Sequence, residues 1–460
     1  MEKIIGYINA HRQRYIDELI DIVKIPSISS SREHRPYVQR CAEVLKDQML
    51  RAGLRRAQIM PTPGHPVVYG EWLEAPGKPT VLIYGHYDVQ PVEPLDAWIT
   101  PPFEPDIRQG ELYGRGTVDD KGQLYIHLKA VEAWLKNEGR LPVNVKFIAE
   151  GEEEIGSLHL EEFLRQHKDL LQADVVIISD TPMLDRGIPS ICYGLRGLTY
   201  MEIEVQGPTT DLHSGSFGGI VANPANVLCE IIARLKDERG RVTIPGFYDK
   251  VVPLSEQERQ NLARLPFDEQ AYFQLTGAPA PFGEEGFTML ERLWARPTLD
   301  VNGLISGHTG EGEKTIIPAR ALAKVSMRLV PDQDPDEIAR LFEDYVRHIA
   351  PPTVRVTVRK CSTGVGFLAS YEHPAFQAAI RALEKGFGRR AVFIREGGSI
   401  PFVGTIYGIL QRPCILLGFG LPDENSHAPN EKLNLENYHR GIISCAYLYQ
   451  KLADVDFELG

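Results

Sequence analysis

The sequence lacks any long apolar run, and no stretch approaches the roughly 18 apolar residues that a membrane-spanning helix needs. Its first residues, MEKIIGYINAHRQRY, also lack the apolar segment of a secretory signal peptide. The six cysteines stand singly, without the CxxC spacing of a structural zinc site or a redox pair. Single thiols in a chain of this length are typical of a reducing compartment. We therefore expect a cytoplasmic protein without a membrane partner.

Basic residues are also scarce. Lysine and arginine total 50 against 62 aspartate and glutamate residues, which gives a net charge of −12, and no basic run occurs. This balance argues against nucleic acid as a partner. With 43% hydrophobic and 24% charged residues the composition is that of an ordinary globular protein, and 460 residues exceed what one core usually supports. We expect two domains, with three as the alternative.

The order of predicted elements indicates an α/β catalytic domain that a smaller domain interrupts. Short apolar runs, such as 80–84 and 414–417, alternate with helical periods, which is typical of a mostly parallel sheet with helices on both faces. The middle of the chain instead has half-exposed alternating strands, as expected for an antiparallel sheet with helices on one face. We predict the α/β domain at 1–194 and 371–460, with an inserted α+β domain at 195–370.

Polar residues that can bind metal or move protons follow the predicted strands of the outer domain. Taken singly, each has a simpler explanation, because a carboxylate after a strand commonly caps the next helix. In an open α/β sheet, however, the carboxyl ends of the strands form the ligand-binding crevice, so these residues are expected to converge. They are His86, Asp119, the acidic run Glu152-Glu153-Glu154, Asp180 and His427.

These residue types favour particular metal ions. Two imidazoles with several carboxylates and no thiolate suit zinc first, with manganese or cobalt as substitutes. Because the carboxylates are in surplus, we predict two divalent ions that share one of them. Asp88, two residues after His86, is placed to accept a hydrogen bond from the far ring nitrogen. A carboxylate that only solvates its loop is the alternative for Asp88.

Seven motifs together carry a resemblance to a known family. They are GHYDVQP (85–91), GRGTVDDKG (114–122), EGEEEIGS (150–157), ISD (178–180), DLHSG (211–215), REGGSIP (395–401) and NSHAPNE (425–431). From about residue 15 to residue 440 the chain resembles the M20 metallopeptidase family, and within it the dipeptidases of the carnosine and cytosolic nonspecific type. The resemblance implies a two-metal hydrolase whose inserted domain is a lid that also forms a homodimer contact.

The resemblance further implies which residues bind the metal ions and which residue acts as the general base. Asp119 would bridge both ions, His86 and Asp180 would complete one site, and Glu154 and His427 the other. Glu153 would act as general base on the attacking water. The peptide bond between Asp119 and Asp120 is expected to be cis.

The acidic run leaves one ambiguity. Position 152 is Glu where relatives often have an apolar residue, so three carboxylates compete for two roles. Anchoring on Ile155-Gly156-Ser157 puts the base at Glu153 and the ligand at Glu154. A shift by one residue is the alternative.

Residues of the second domain resemble the family's substrate-binding groups. His213 would stabilise the tetrahedral oxyanion, often from the other subunit, and Arg328 would bind the substrate's C-terminal carboxylate. Ser399, with Gly398 beside it, would add hydrogen bonds to the same carboxylate. The ordinary alternatives are a solvent-exposed histidine, an exposed strand arginine and a plain turn.

The leading hypothesis is a metal-dependent dipeptidase that cleaves short peptides with a free C-terminal carboxylate. The alternative enzyme is an N-acyl amino acid amidohydrolase, such as an aminoacylase, which uses the same metal chemistry. A non-catalytic relative whose lid serves assembly would require a broken metal set, whereas every implied ligand and the base are present in this sequence.

Overall fold

Two units make up the chain, and the first is assembled from separate stretches of sequence. The computed structural model describes residues 1–398 and 400–457. The first unit comprises Met1–Tyr193, Ala369–Ile394 and the chain from Thr405 onward. The second comprises Gly194–Leu368 together with Arg395–Gly404.

The helices are distributed along both units, and three single 3-10 turns lie at Arg32–His34, Leu95–Ala97 and Glu153–Ile155. The α-helices are α1 (Glu2–Ala10), α2 (Arg12–Val23), α3 (Arg35–Ala52), α4 (Lys121–Glu138), α5 (Leu160–Gln166), α6 (Ser214–Phe217), α7 (Pro224–Ala233), α8 (Glu256–Ala263), α9 (Glu269–Gln274), α10 (Met289–Trp294), α11 (Pro335–Ile349), α12 (Pro374–Phe387), α13 (Pro401–Leu410) and α14 (Leu435–Leu452).

The strands alternate with these helices in the first unit and cluster in the second. They are β1 (Arg56–Met60), β2 (Val67–Trp72), β3 (Thr80–His86), β4 (Asp106–Arg108), β5 (Glu111–Tyr113), β6 (Asn144–Glu150), β7 (Val175–Ile178), β8 (Ser190–Leu195), β9 (Gly197–Gln206), β10 (Leu212–His213), β11 (Thr298–Ser306), β12 (Ile316–Ile317), β13 (Arg320–Leu329), β14 (Arg355–Gly364), β15 (Phe367–Leu368), β16 (Val392–Glu396), β17 (Cys414–Leu416) and β18 (Lys432–Asn434).

The large sheet of the first unit is parallel at its centre and antiparallel at its flanks. Its order runs β1-β2-β6-β3-β7-β17-β8. The pairs β6/β3, β3/β7 and β7/β17 are parallel, whereas β1/β2, β2/β6 and β17/β8 are antiparallel. Nearly all residues of β3, β6 and β7 are buried, which explains why β3 and β7 are largely apolar along their length. The predicted α/β class is confirmed, with more antiparallel pairing at the flanks than the sequence indicated.

The second unit contains an antiparallel sheet in the order β11-β13-β9-β14. Along β13, Ala323 and Val325 are fully buried while Lys324 between them is exposed. Helices α7 and α11 pack against β9, and their apolar side chains share one core with the buried face of the sheet. The alternation predicted from the sequence therefore marks the face of this sheet that the helices cover.

Between residues 240 and 318 the helices α8, α9 and α10 are all short. Ser255 caps α8 by accepting a hydrogen bond from the Glu258 amide. The complete reciprocal capping box lies at Thr288 and Glu291, at the start of α10. Among the described residues, no helix is both long enough and apolar enough to cross a bilayer.

A buried histidine links α4 to helix α14 and to the end of β7. The ring of His127 bonds through Nε2 to Ser179 Oγ at 2.7 Å and through Nδ1 to the Tyr449 hydroxyl at 3.0 Å. Because Ser179 donates its own hydrogen to the Leu417 carbonyl at 2.6 Å, it accepts from the imidazole. Burial lowers the pKa of His127 to about 3, so the ring is neutral in the folded protein.

We predict that this histidine makes stability pH-dependent on the acid side. In the unfolded chain His127 is protonated near its ordinary pKa of about 6.5. In the folded protein the ring stays neutral until the pH falls to about 3. The free energy of unfolding should therefore fall, by at most about 1.4 kcal/mol per pH unit, as the pH drops through this window. Urea unfolding of His127→Gln should show a shallower pH slope than the parent. The same replacement at His348, exposed on α11, should leave the slope unchanged.

Candidate metal centre

Three adjacent strands of the large sheet deliver polar residues to one edge. His86 ends β3, Glu150 ends β6, and Asp180 follows β7 by two residues. After β6 the chain turns at Gly151 into the 3-10 turn that carries the acidic run. Because β3, β6 and β7 are parallel, their carboxyl ends lie together, as the sequence analysis expected.

Two groups of possible ligands form at this edge. In the first, Nε2 of His86 lies 3.0 Å from Asp119 Oδ1 and 3.9 Å from Asp180 Oδ1. In the second, Nε2 of His427 lies 3.0 Å from Asp119 Oδ2 and 3.1 Å from Glu154 Oε2. Ligand atoms within each group lie within 4.8 Å of one another. Asp119 belongs to both groups, with one oxygen directed at each histidine.

Asp119 reaches this edge from outside the large sheet. It follows β5, which belongs to a separate small sheet with β4 and β18, and it lies two residues before α4 begins at Lys121. The bond between Asp119 and Asp120 is cis, as the resemblance implied.

Asp88 supports both the histidine and the acidic run. The Nδ1 atom of His86 lies 3.1 Å from the Asp88 carbonyl oxygen and 3.4 Å from its carboxylate. The carboxylate itself accepts hydrogen bonds from the amides of Glu153 and Glu154, at 3.3 and 3.2 Å. With Nδ1 occupied in this way, Nε2 is free to bind an ion.

The three acidic residues point in different directions. Glu152 accepts from the His65 amide at 2.9 Å and lies 2.8 Å from Nδ1 of His159, so it is used outside the two groups. Glu154 lies beside His427 in the second group. Glu153 belongs to neither group, but it lies close enough to His86 and Asp119 for their charges to shift its pKa, in addition to the effect of burial. These contacts support the register with Glu153 as base, which stays a prediction.

Gln90 holds the proposed ligand Glu154 in place, a role that its sequence context does not indicate. Its backbone amide donates to Glu154 Oε1 at 3.1 Å, and its side-chain amide donates to Oε2 at 2.8 Å. Gln90 lies in the motif GHYDVQP, but its target is far away in sequence. Only the pairing of β3 with β6 brings the two together.

The carboxylates raise one another's affinity for protons. Burial raises the pKa of Glu153 to about 8; the charge of His86 opposes this shift, and the charges of Glu154 and Asp119 add to it. Burial also raises the pKa of Asp180 well above its usual range, with the charge of Asp120 adding. Such a cluster is costly to bury unless cations neutralise it.

The pKa values of the two histidines are raised as well, because neighbouring carboxylates stabilise the protonated rings. Burial alone would lower the pKa of His86, but its bonds to Asp119 and Asp88 raise that pKa well above the ordinary value. Bonds to Asp119 and Glu154 raise the pKa of His427 to about 10. Each imidazole therefore attracts a positive charge at Nε2, and a divalent ion can supply that charge in place of a proton.

The residues present fit a pair of divalent metal ions. Nitrogen and carboxylate oxygen without thiolate form a donor set that zinc, manganese and cobalt accept. A first ion would be held by His86, Asp119 and Asp180, and a second by Asp119, Glu154 and His427. The His427 side chain is 57% exposed, whereas that of His86 is fully buried, so the second group is the more open of the two to solvent.

The predicted substrate-binding residues lie in the second unit. His213 ends β10 and caps α6, with its Nδ1 accepting from the Gly215 amide at 3.0 Å. Arg328 of β13 pairs with Thr298 of β11. The arginine side chain is half-buried, and this burial lowers its pKa. The amide of Gly398 donates to Glu396 Oε1 at 3.3 Å. Ser399 falls outside the described residues.

Comparison with known proteins gives a consistent result over the whole chain. Residues 82–451 match the model of peptidase family M20/M25/M40. The Cys-Gly metallodipeptidase dug1 of Schizosaccharomyces pombe is 33% identical, over 98% of this chain and 98% of that protein. The Beta-Ala-His dipeptidase of Homo sapiens is 32% identical, over 99% of this chain and 93% of that protein.

A solved structure is similar to the same extent. The M20 family metallo-carboxypeptidase Sso-CP2 of Sulfolobus solfataricus is 34% identical and superposes with a TM-score of 0.86. The superposition covers 95% of this chain and 99% of that chain. Both units therefore have counterparts in a solved structure.

Proposed function

The chain belongs to peptidase family M20/M25/M40 and is an enzyme of the metallodipeptidase type, and from this premise we propose that it hydrolyses dipeptides or short peptides with a free C-terminal carboxylate. The family resemblance carried by the seven motifs is thereby confirmed. The observation that carries the mechanism is the position of Asp119, whose two oxygens face His86 and His427. Such a shared carboxylate suits a pair of ions a few ångströms apart.

We assign the proton transfers to Glu153. Two divalent ions at the centre would polarise the scissile carbonyl and lower the pKa of the attacking water. Glu153 would take the proton from that water and return it to the leaving amine. Its burial among carboxylates favours the protonated form between these steps. Asp88 would hold the turn that carries Glu153 through its backbone amide.

We propose that the second unit is the lid that binds the substrate's C-terminal carboxylate and stabilises the oxyanion formed during hydrolysis. Arg328 would pair with the C-terminal carboxylate, because a guanidinium can donate two parallel hydrogen bonds. Gly398 and Ser399 would add hydrogen bonds to that carboxylate. His213 would stabilise the oxyanion, from the same subunit or from a partner. The domain boundaries at 195 and 370 belong to this proposal.

The Glu153 assignment predicts a large loss of turnover without loss of metal. Glu153→Gln should lower kcat by about 10²- to 10⁴-fold, because it removes the base and keeps the size of the side chain. Glu152→Gln is the matched control, since Glu152 contacts His65 and His159 instead, and its kcat should stay close to that of the parent. Metal content by mass spectrometry should be equal in all three proteins. A loss at Glu152 with activity kept at Glu153 would shift the register by one.

Three substrate classes must be separated, because the relatives' names differ. The relatives in S. pombe and Homo sapiens are named dipeptidases, and the Sulfolobus structure is a carboxypeptidase. The N-acyl amino acid amidohydrolases use the same kind of centre and are the alternative raised by the sequence. The distinguishing feature is whether the substrate's N-terminus is a free amine, an acyl group or a longer peptide.

A small panel of substrates tests the proposed class directly. We expect metal-dependent cleavage of Ala-Ala, little cleavage of N-acetyl-alanine or N-blocked Ala-Ala, and weak cleavage of the C-terminal amide of Ala-Ala. Apoenzyme restored with Zn²⁺, Mn²⁺ or Co²⁺ would identify the most active metal, with Zn²⁺ as our expectation. Cleavage of N-acetyl-alanine alone would replace the dipeptidase by the amidohydrolase. Activity confined to N-blocked Ala-Ala would indicate a carboxypeptidase.

We infer a reducing compartment, such as the cytoplasm, from the thiols. All six cysteines are thiols outside any disulfide bond in the described part of the chain, and Cys229 and Cys361 are exposed. Exposed thiols persist where glutathione keeps them reduced.

We propose that two copies associate through the lid. β11 lies at the edge of the four-stranded sheet, and Val301, Leu304 and Ile305 on it are 40%, 55% and 60% exposed. An open edge strand with exposed apolar side chains is unusual in a monomer, because it presents unpaired backbone groups to other chains. Pairing of β11 with the same strand of a second copy would cover the exposed apolar side chains and the unpaired backbone groups.

Light scattering tests this edge. Ile305→Lys should shift the protein from dimer to monomer, because it places a charge on the apolar edge of each copy that the pairing would bury. Val252→Lys is the matched control, since Val252 is 64% exposed and lies outside the strands, and it should leave the dimer intact. A parent protein that is monomeric at micromolar concentration would refute the proposed assembly.

A further inference from the structure

Glu431 is a fully buried carboxylate that the assigned chemistry does not use. Its Oε2 atom accepts from Arg115 Nη1 at 2.8 Å and from the Gly116 amide at 3.0 Å. Its Oε1 atom accepts from the amides of Val118 and Asp119, at 3.0 and 3.1 Å. One side chain therefore binds four donors from a single loop, and the last of them is the amide of the shared ligand itself.

This carboxylate connects three segments that carry proposed ligands. Glu431 lies four residues after His427 on the same loop, and its carbonyl also accepts from the Gly114 amide at 2.9 Å. Arg115 extends the link, because its Nη2 atom donates to the Pro91 carbonyl at 3.0 Å, in the segment that follows His86. The segments of His86, Asp119 and His427 thus meet at the pair formed by Arg115 and Glu431.

A structural ion pair alone does not account for this arrangement. Arg115 would satisfy the charge of Glu431 by itself, and an ion pair needs no backbone donors. Here the amides of Gly116, Val118 and Asp119 all converge on the carboxylate, which fixes the backbone next to the ligand. Three directional hydrogen bonds from successive parts of one loop to a single buried side chain restrict the position of the backbone that carries Asp119.

We propose that Glu431 is a positioning residue that fixes the shared ligand Asp119 relative to His427, and so sets the affinity of both metal positions together. This inference rests on the two-metal centre proposed above. Replacing a residue that hydrogen-bonds a metal ligand, but does not itself bind the metal, lowers metal affinity by about 10- to 100-fold. Because Asp119 serves both groups, the loss should appear at both positions, whereas a residue behind a single ligand would affect one.

Metal binding is the direct test, and it does not depend on turnover. Zn²⁺ is titrated into the full-length apoprotein against a chelator, which gives the stoichiometry and two dissociation constants. In Glu431→Gln the amide keeps one acceptor oxygen, and its NH₂ group faces the remaining donors. We expect both dissociation constants to rise by about 10- to 100-fold. Unchanged constants, or a loss at one position only, would overturn the proposal.

A matched control separates positioning from general destabilisation. Glu132 on α4 is also buried and ion-paired, with Arg14 and Lys129 as partners, and it touches none of the ligand-bearing segments. Glu132→Gln should lower the melting temperature and leave both zinc constants at the parent's values. If Glu132→Gln weakened zinc as much as Glu431→Gln, the effect would be general and the proposal would fail.

A second variant covers the case in which Glu431→Gln does not fold. Glu431→Asp keeps the charge opposite Arg115 but shortens the side chain, so the amides of Val118 and Asp119 lose their acceptor first. Both zinc constants should again rise together, and unchanged constants would overturn the proposal. A parent protein that binds fewer than two ions would instead refute the two-metal centre, and this inference with it.

Discussion

The carboxylate of Asp119 faces two imidazoles at once, and much of the first unit is arranged to make that geometry possible. His86 reaches it from the end of β3, and His427 from the loop before β18. The surrounding carboxylates would repel one another in the absence of cations: burial raises the pKa of Glu153, and the charges of Glu154 and Asp119 add to that shift. The fold supplies the rigidity that holds them together: parallel central strands, a buried α4, and backbone amides aimed at carboxylate oxygens.

Much of this centre was predictable from local sequence. The runs before His86 and Asp180 are continuous and apolar, which marks buried strands, and a polar residue just after such a run lies at the sheet edge. Contacts between residues distant in sequence were not predictable in this way. No local pattern reveals that Gln90 holds Glu154, or that Glu152 turns towards His65 and His159. These pairings depend on which strands are neighbours, and strand order is a property of the whole chain.

The second unit follows a different rule. Its antiparallel sheet has one face covered by helices, so the alternating sequence along β13 identified the buried face correctly. The function of the other face does not follow from alternation, because Lys324, Ser326 and Arg328 are all polar there. The assignment of Arg328 came from resemblance alone. The short helices between 240 and 318 are not predictable from periodicity, because each has only one or two turns and a helical repeat of apolar residues cannot show in so few.

The position of β17 affects how the protein is made. This strand comes late in the chain, yet it lies between β7 and β8, which are both synthesised more than two hundred residues earlier. Until it emerges from the ribosome, the facing edges of β7 and β8 have no partner at that place, and such edges invite pairing with other chains. The nascent polypeptide also lacks His427 at that stage. The candidate metal centre can therefore be assembled only after the whole second unit has been translated, so a partly made chain does not contain all of the proposed ligands.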